Sequence, residues 1–480
     1  MESKPANLIL ITVDSLRADH LSCYGYRQPT SPNLDALAGS GWLYTQAFSC
    51  GPNTPHAFPG ILASHSPLRY ARLGLFDAPL TLAEALKMAG YRTLALNAAN
   101  PYVSRWFHYQ RGFDEFYDFL DDLSPAAKPS PTSHADGDSE QSERWPSSVI
   151  SEPQFDLNRY LISEESIHQK ACLETEINAR IFDVIDAIRS EPFFLWVHYM
   201  DTHYPYLPQR EAQEQMDGVF ISKTENRRLN QQVRENMALT PEALQATVHL
   251  YDAAVRQLDN KIGELLDFLK KGHIFDSTHL IFTADHGEEF LEHGDLQHKS
   301  KLFDELLRVP LIVKLAHNQA GERCHDLVSL SQLAPTVLEL LGLENRFEND
   351  GFLHHAWHAA AQPRQRVFAE ASYVHQNHTP VDQNLLNTEL LPKMYACRNR
   401  HWKLTFDTAT KQFALYNFLE DPMETKNLYA SHSAKVASMQ NVLLARIAEL
   451  ERSRLRAQIA RIRNKIAIPN QAEHALRISF

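Results

Sequence analysis

Three residues of this chain have side chains of the kind that bind divalent cations, and each comes directly after a short apolar run. Asp14 follows residues 8–13, and Asp285 and His286 follow the run that begins at residue 279, in the segment TADHGEE. Carboxylate oxygens and imidazole nitrogens are ligands for zinc, manganese, magnesium or calcium. The pattern predicts one divalent metal site. The alternative is that Asp14 only caps the following helix and that the Asp-His-Gly step is only a turn.

Two further polar clusters follow apolar runs in the same way. Asn97 and Asn100 come after residues 92–96, and Asp201 and His203 come after the run that begins at residue 193. In open α/β sheets, ligands bind outside the carboxyl ends of the parallel strands. We therefore expect all of these side chains at one rim of a sheet.

The elements that must position these side chains alternate between strand-like and helical patterns. The strand-like runs are residues 8–13, 92–96, 193–197, 279–282 and 309–315, and the helical patterns are residues 31–39, 80–89, 174–188 and 248–269. This alternation predicts an α/β protein with a large, mostly parallel sheet covered by helices on both faces. We assign residues 1–345 to this catalytic domain.

Three other segments differ in character from this domain core. Residues 123–153 are rich in Ser, Pro, Asp and Glu, which predicts a mobile surface loop. The charged insert 209–239 is either a helical lid or a solvated excursion. Strand-like pieces at 365–369, 393–397, 402–406 and 412–416 predict a small antiparallel domain over residues 346–430.

The tail, residues 431–480, carries a heptad-like apolar stripe. Its members up to Glu451 are Val436, Met439, Leu443, Ile447 and Leu450, and beyond Glu451 its charges are basic. About thirty residues at a rise of 1.5 Å each would form a helix of roughly 45 Å. We expect this helix to dock on its own chain or on a second subunit in a homo-oligomer. Binding to an acidic membrane surface or another partner is the alternative.

Composition narrows the function classes. The chain has 47 Lys and Arg against 59 Asp and Glu, a formal charge of −12, so a nucleic acid is not expected as a partner. Its five cysteines are scattered without a C-x-x-C pair, which argues against a disulfide framework. The first apolar run is too short for a transmembrane segment and lacks the flanks of a leader peptide, so we expect a cytoplasmic protein.

Ordered motifs along the chain resemble those of the sulfatase family, within the alkaline phosphatase superfamily. The motifs reach to about residue 430 and include NLILITVDSLRADHLSCYGY, TSPNLDALAGSGWLYTQAFS, PFFLWVHYMDTHYPY, LYDAAVRQLDNKIGELL and TADHGEEFLEHGDLQHKSKLFDELLRVPLIV. The resemblance implies a large mixed sheet between helices and a small four-stranded antiparallel domain. It also implies a metal-dependent hydrolase of small-molecule, glycan-linked or lipid-linked esters.

One departure from the family pattern concerns the residue that sulfatases oxidise to formylglycine. This Cys or Ser opens a C/S-x-P-S-R motif, and the family spacing from Asp35 of the PNLD step puts Thr54 at its position and Phe58 at the Arg. Threonine cannot be oxidised to formylglycine. A competing register begins at Cys50, but it places Asn53 and Thr54 where Ser and Arg should stand.

In having threonine at this position, the chain resembles the phosphoryl-handling branches of the superfamily. The resemblance implies that Thr54 is both nucleophile and metal ligand, together with Asp14, Asp285 and His286. A metal makes a hydroxyl a competent nucleophile by lowering its pKa. Attack on phosphorus would give a phosphothreonine that water or an alcohol discharges. We therefore predict phosphoester or phosphodiester hydrolysis, or phospho-group transfer.

The same resemblance implies roles for residues around the metal. His203 matches a family histidine, and His298 or Lys299 matches the position that binds the ester oxygens or protonates the leaving group. Asn100 and Asp201 are candidates for substrate binding. One metal is the prediction, although Asp201, His203 and His298 would hold a second metal in the manner of two-metal relatives.

Two other functions stay open at this point. The first is a sulfatase that acts through an unmodified Thr54. The second is a non-catalytic family member that serves partner binding or assembly. The loss of the family's Arg at Phe58 favours the second, and the retention of Asp14, Thr54, Asp285 and His286 argues against it.

Overall fold

A computed structural model describes residues 5–70, 72–120, 164–216, 220–318, 321–349, 351, 366–373 and 392–476. The predicted loop at 123–153 lies outside these residues. The strands, in chain order, are β1 (Asn7–Val13), β2 (Trp42–Phe48), β3 (Arg92–Asn97), β4 (Glu115–Tyr117), β5 (Phe193–Tyr199), β6 (Thr278–Ala284), β7 (Glu289–Phe290), β8 (Leu296–Gln297), β9 (Arg308–Val309), β10 (Leu311–Lys314), β11 (Glu322–Ser329), β12 (Val367–Ser372), β13 (Lys393–Arg398), β14 (Trp402–Asp407) and β15 (Gln412–Asn417).

The α-helices cover the large sheet and the small sheet. In chain order they are α1 (Pro32–Gly39), α2 (Thr54–Ala63), α3 (Leu82–Met88), α4 (Glu164–Ile188), α5 (Arg210–Glu214), α6 (Lys223–Arg234), α7 (Pro241–Lys271), α8 (Asp304–Leu307), α9 (Leu333–Leu340) and α10 (Ser433–Leu476). Helices α5 and α6 occupy the charged insert, so this segment takes the helical form of the two that the sequence allowed.

The large sheet has nine strands in the order β11-β2-β10-β6-β1-β5-β3-β4, with β9 paired to β2. Strand β1 lies in its middle and pairs in parallel with both β5 and β6. Every residue of these three strands is buried, as expected for a parallel sheet with both faces covered. The predicted α/β class is therefore confirmed. Strand β10 runs antiparallel to its two neighbours, which makes the sheet mixed.

The register of the three central strands brings their carboxyl ends to one level. Val13 at the end of β1 pairs with Tyr199 of β5 and with Ala284 of β6. The ladder continues one residue further, because the Asp14 amide donates to the Tyr199 carbonyl at 2.9 Å and the Asp285 amide donates to the Val13 carbonyl at 3.1 Å. Asp14 and Asp285 thus leave the sheet side by side.

The small sheet is four-stranded and antiparallel, in the order β12-β13-β14-β15, and the long helix α10 packs on it. The stripe residues Val436, Met439, Leu443 and Leu450 are buried against this sheet. The apolar stripe therefore docks on its own chain, and within the described residues nothing supports a second subunit at this surface. Among the described helices, none is both long and apolar enough to cross a lipid bilayer.

Candidate metal and active site

Asp14, Asp285 and His286 form a buried cluster at the rim where β1 and β6 end. Each offers one ligand atom, and these atoms all lie within 4.8 Å of one another. None of the three side chains is exposed to solvent. The structure therefore brings these three residues together at one place.

The potential ligand atoms of this cluster suit a cation. The Nδ1 atom of His286 lies 2.8 Å from the Gly287 carbonyl oxygen. Since a carbonyl only accepts, Nδ1 carries the proton and Nε2 presents a lone pair. The Nε2 atom lies 3.7 Å from Oδ1 of Asp14 and 3.5 Å from Oδ2 of Asp285. The buried Oδ2 of Asp285 accepts no hydrogen bond, which is costly without a positive partner.

Thr54 is the first residue of α2 and projects its hydroxyl into the same cluster. Its Oγ1 donates to Oδ2 of Asp14 at 3.2 Å and lies 3.3 Å from Nε2 of His286. The helix begins here because Asn53 has extended backbone and Pro55 occupies the first turn, where its missing N–H has no cost. Cys50 lies elsewhere, with its thiol 3.7 Å from the Ser329 hydroxyl.

The pKa values of the two carboxylates of the cluster are shifted in opposite directions. Burial acts to raise the pKa of Asp14, but His203 and His198 outweigh it and hold this pKa well below the usual range. The pKa of Asp285 is raised well above its usual range by burial and by the charge of Asp14. Burial also lowers the pKa of His286 to about 3, so this imidazole is neutral near pH 7.

Asn100 reaches the cluster from the loop after β3. Its Nδ2 donates to Oδ2 of Asp14 at 2.7 Å and to Nε2 of His198 at 3.1 Å. Its Oδ1 accepts from the Tyr102 amide at 3.0 Å. Both amide hydrogens are therefore used within the protein, so Asn100 orients Asp14 and has no free donor for an ester oxygen.

His198 was not among the residues that the sequence singled out. Its ring lies inside β5, fully buried, with Nδ1 at 3.0 Å from the Thr12 hydroxyl. Phe58 packs edge-on against this ring, with the ring centroids 5.0 Å apart. A single histidine in the otherwise apolar run FFLWVHY was the signal in the sequence.

Two more histidines, His203 and His298, lie beside this cluster of potential metal ligands. The His298 ring centroid lies 4.5 Å from that of His286 and 5.1 Å from that of His203. Nδ1 of His298 lies 3.0 Å from Oε1 of the buried Glu288 and 3.3 Å from the Ser15 hydroxyl. Glu288 thus holds the orientation of His298, and the structure brings both predicted histidines to the site.

The structure does not bring Lys299 and Asp201 into this cluster. The Lys299 ammonium pairs with Asp295, four residues earlier. Asp201 is buried and binds the Lys261 ammonium at 2.5 Å and the Gln257 amide at 3.0 Å, both on α7. Within the described residues, one group of three potential ligands is assembled, so the second-metal set gains no support.

Two sequence-family models match the segments that form the large sheet and the small sheet. A model of the family described as Sulfatase matches residues 6–343, and a model described as N-sulphoglucosamine sulphohydrolase, C-terminal, matches residues 292–453. The chain belongs to the sulfatase family. Sulfatase-type sequence thus covers both the large sheet and the small sheet with its helix.

Several curated sulfatases are similar to this sulfatase-family chain. The N-acetylgalactosamine-6-sulfatase of Homo sapiens is 25% identical over 378 residues, which cover 71% of this chain and 63% of the relative. The arylsulfatase of Clostridium perfringens is 23% identical over 364 residues, which cover 69% of this chain and 74% of the relative. The chain thus spans less than two thirds of the length of the human relative.

Several solved structures share this fold. The phosphonate monoester hydrolase of Agrobacterium radiobacter superposes with a TM-score of 0.64 at 20% identity, covering 93% of this chain and 96% of that chain. A protein solved in complex with its substrate D-glucosamine-2-N,6-O-disulfate gives a TM-score of 0.67 at 16% identity, covering 93% and 98%. At these identities the likeness concerns the fold alone.

Proposed function

We propose that this sulfatase-family protein is a metal-dependent phosphoester or phosphodiester hydrolase, or a phospho-group transferase, in which Thr54 is the nucleophile. The observation that carries the proposal is the position of the Thr54 hydroxyl, 3.2 Å from Asp14 and 3.3 Å from His286. Both of these residues belong to the candidate metal cluster. A hydroxyl in that position can be activated without any modification of the side chain.

The identity of the residue at this position separates the proposal from ordinary sulfatase chemistry. Thr54 stands in the place of the residue that becomes formylglycine, and Phe58 stands in the place of the family's Arg. Phe58 is fully buried against Trp196 and His198, so this position supplies packing and no positive charge for an anion. Two solved proteins that share this fold are titled phosphonate monoester hydrolases, which supports a reaction at phosphorus.

Asp14, Asp285, His286 and Thr54 would hold the metal ion. A bound divalent cation would lower the pKa of the threonine hydroxyl and neutralise charge on the ester group. The all-acceptor cluster and the unpaired Oδ2 of Asp285 fit such an ion. His286 would offer the Nε2 lone pair to such an ion, because the Gly287 carbonyl holds the proton on Nδ1.

The reaction that these residues support has two steps. In the first, Oγ1 of Thr54 forms a bond to phosphorus while the bond to the leaving oxygen breaks, and the hydroxyl proton is released. His298, held by Glu288, donates a proton to the leaving oxygen, and His203 stabilises the charge beside it. In the second, water or an alcohol attacks phosphorus and gives its proton back to His298, the bond to Oγ1 breaks, and Thr54 regains from solvent the proton that it released in the first step.

A second candidate function is sulfate-ester hydrolysis through the unmodified Thr54. The names of the curated relatives favour it, since they are sulfatases. The two functions share one site and differ in the atom that is attacked. Substrate preference therefore separates them.

The test compares aryl phosphodiester, phosphonate monoester, phosphomonoester and sulfate esters on the metal-loaded protein. The matched variants are Thr54→Val, which keeps the side-chain shape without the hydroxyl, and Thr54→Ser, which keeps the hydroxyl. We expect a phosphorus ester as the best substrate and a loss of kcat of about a thousandfold or more in Thr54→Val only. Equal rates for wild type and Thr54→Val would refute the nucleophile, and a sulfate ester as best substrate would favour the second candidate. Absence of turnover in a metal-loaded protein would favour the non-catalytic alternative.

A further inference from the structure

The outer strand of the small sheet meets the segment that carries Thr54. Among the described strands, β12 pairs with β13 along one edge and with no strand along the other. On its other edge, the Glu370 amide donates to the Cys50 carbonyl at 2.8 Å, and the Ser372 amide donates to Nε2 of His56 at 3.0 Å. Buried backbone amides need partners, and here residues just before and just after Thr54 supply them.

The ring of His56 has one defined tautomer in this arrangement. Because the Ser372 amide can only donate, Nε2 of His56 must accept, and the proton of the neutral ring lies on Nδ1. Nδ1 lies 2.5 Å from Oδ1 of Asn53, so His56 donates to Asn53. The ring is fully buried. His56 therefore connects the residue that precedes Thr54 to the edge of β12.

The space around this connection is tight. A Cβ atom at Gly51 would lie 2.3 Å from Cβ of His56 and 2.9 Å from the carbonyl oxygen of Glu370. Only glycine lets the chain pass between the histidine and the strand at this distance. The segment from Cys50 to His56 is thus held against β12 by packing as well as by hydrogen bonds.

The same strand end also contacts the loop that carries His298. The Ser300 hydroxyl donates to the Ser372 carbonyl at 3.0 Å. Ser372 is fully buried at the last position of β12. One residue of the small sheet therefore contacts the segments of both the proposed nucleophile and the proposed proton donor.

We propose that His56 is a positioning residue that ties the Asn53–Thr54 turn to the edge of β12, so that the small sheet sets the place of the Thr54 hydroxyl. The inference rests on the proposed role of Thr54. Since a displacement of about 1 Å at a reacting group can cost a hundredfold in rate, loss of this connection should affect kcat more than substrate binding.

The kinetic test uses the full-length, metal-loaded protein and the best ester of the panel. His56→Leu removes the hydrogen bonds of the ring with Asn53 and with both the amide and the hydroxyl of Ser372, and His56→Gln restores an acceptor for Ser372. We expect His56→Leu to lower kcat at least tenfold with KM within threefold of wild type, and His56→Gln to recover part of the loss. The control is His65→Leu, at another buried histidine, whose Nδ1 forms a hydrogen bond with the neighbouring Ser66 carbonyl. It should lower the unfolding temperature without lowering kcat.

A kcat for His56→Leu within twofold of wild type would overturn the inference, and so would equal losses in the Leu and Gln variants.

Histidine-labelled NMR supplies a readout that needs neither metal nor turnover. The hydrogen-bonded proton of His56 should be on Nδ1 in wild type and should exchange faster in Asn53→Ala. A proton on Nε2 would refute the connection. If Thr54→Val stays active, the proposed function fails. If Thr54→Val is inactive while His56→Leu is unaffected, only the positioning role fails.

Discussion

Replacing Asp285 with Asn tests two effects of the Asp14–Asp285–His286 cluster. These are its cost to the stability of the metal-free protein and its capacity to bind a metal ion. The Asp285 and Asp14 ligand atoms lie within 4.8 Å, so at an effective dielectric constant of about 20 two full charges would repel by roughly 3.5 kcal/mol. Protonation of Asp285, whose pKa is raised, relieves part of this repulsion. The Asn side chain keeps an oxygen in the place of Oδ1, which accepts the Ser15 and His286 amides at 3.2 and 2.8 Å. Its NH₂ group replaces the unpaired Oδ2 and faces the lone pair of His286.

The metal-free Asp285→Asn variant should therefore be more stable than metal-free wild type, by at most about 3 kcal/mol, because protonation of Asp285 already relieves part of the repulsion in wild type. Metal should reverse the order. An ion that binds only the folded protein stabilises it by about 2.7 kcal/mol at a hundred times its dissociation constant. Wild type should show this gain, and Asp285→Asn should show little of it.

The assay is thermal and denaturant unfolding with a chelator and with increasing concentrations of zinc, manganese or magnesium. Asp201→Asn is the matched control, because Asp201 is equally buried but binds Lys261. This change leaves a buried lysine without its partner, so it should destabilise the protein with and without metal. A metal-free Asp285→Asn protein that is less stable than wild type, with an unchanged response to metal, would refute the reasoning.

Three further outcomes follow from the structure. Leu443→Ala should cost about 2–5 kcal/mol of unfolding free energy because this side chain is buried under the small sheet, whereas the 46% exposed neighbour Leu444→Ala should cost less than about 0.5 kcal/mol, as urea unfolding can measure. Burial lowers the pKa of His279 to about 4 from 6.5, so the unfolded chain alone binds this proton between those pH values. Stability should fall as the pH falls, and His279→Asn should flatten that slope by about 1 kcal/mol per pH unit. His298→Asn should reduce kcat far more than Lys299→Met, since the Lys299 ammonium pairs with Asp295; the reverse order in steady-state kinetics would contradict the assignment.

The fold and the rim position of the site could be predicted from the sequence because they follow from local patterns. Short apolar runs separated by helical periods predict a parallel sheet, and a polar residue directly after a run lies at the carboxyl end of its strand. Asp14 and Asp285 satisfy both conditions, and the structure places them side by side. The position of these two carboxylates at one rim could thus be predicted from the sequence alone.

The partners of other polar residues could not be predicted, because they depend on distant segments or on local competition. Asp201 follows a strand in the same way as Asp14, yet it is neutralised by Lys261 on a helix sixty residues away in the chain. Lys299 is close to the site in sequence, but its ammonium pairs with Asp295, four residues earlier. His56 acquires its role only when β12, more than three hundred residues later, reaches it.

The most direct measurement is the detection of a covalent intermediate on Thr54. The metal-loaded protein is mixed with an excess of the best phosphorus ester, quenched in acid within the first turnovers, digested and analysed by mass spectrometry. We expect a phosphoryl or phosphonyl group on the peptide that contains Thr54, and no such group in Thr54→Val. The same group on a different residue, or sustained turnover by Thr54→Val, would contradict attack by the Thr54 hydroxyl.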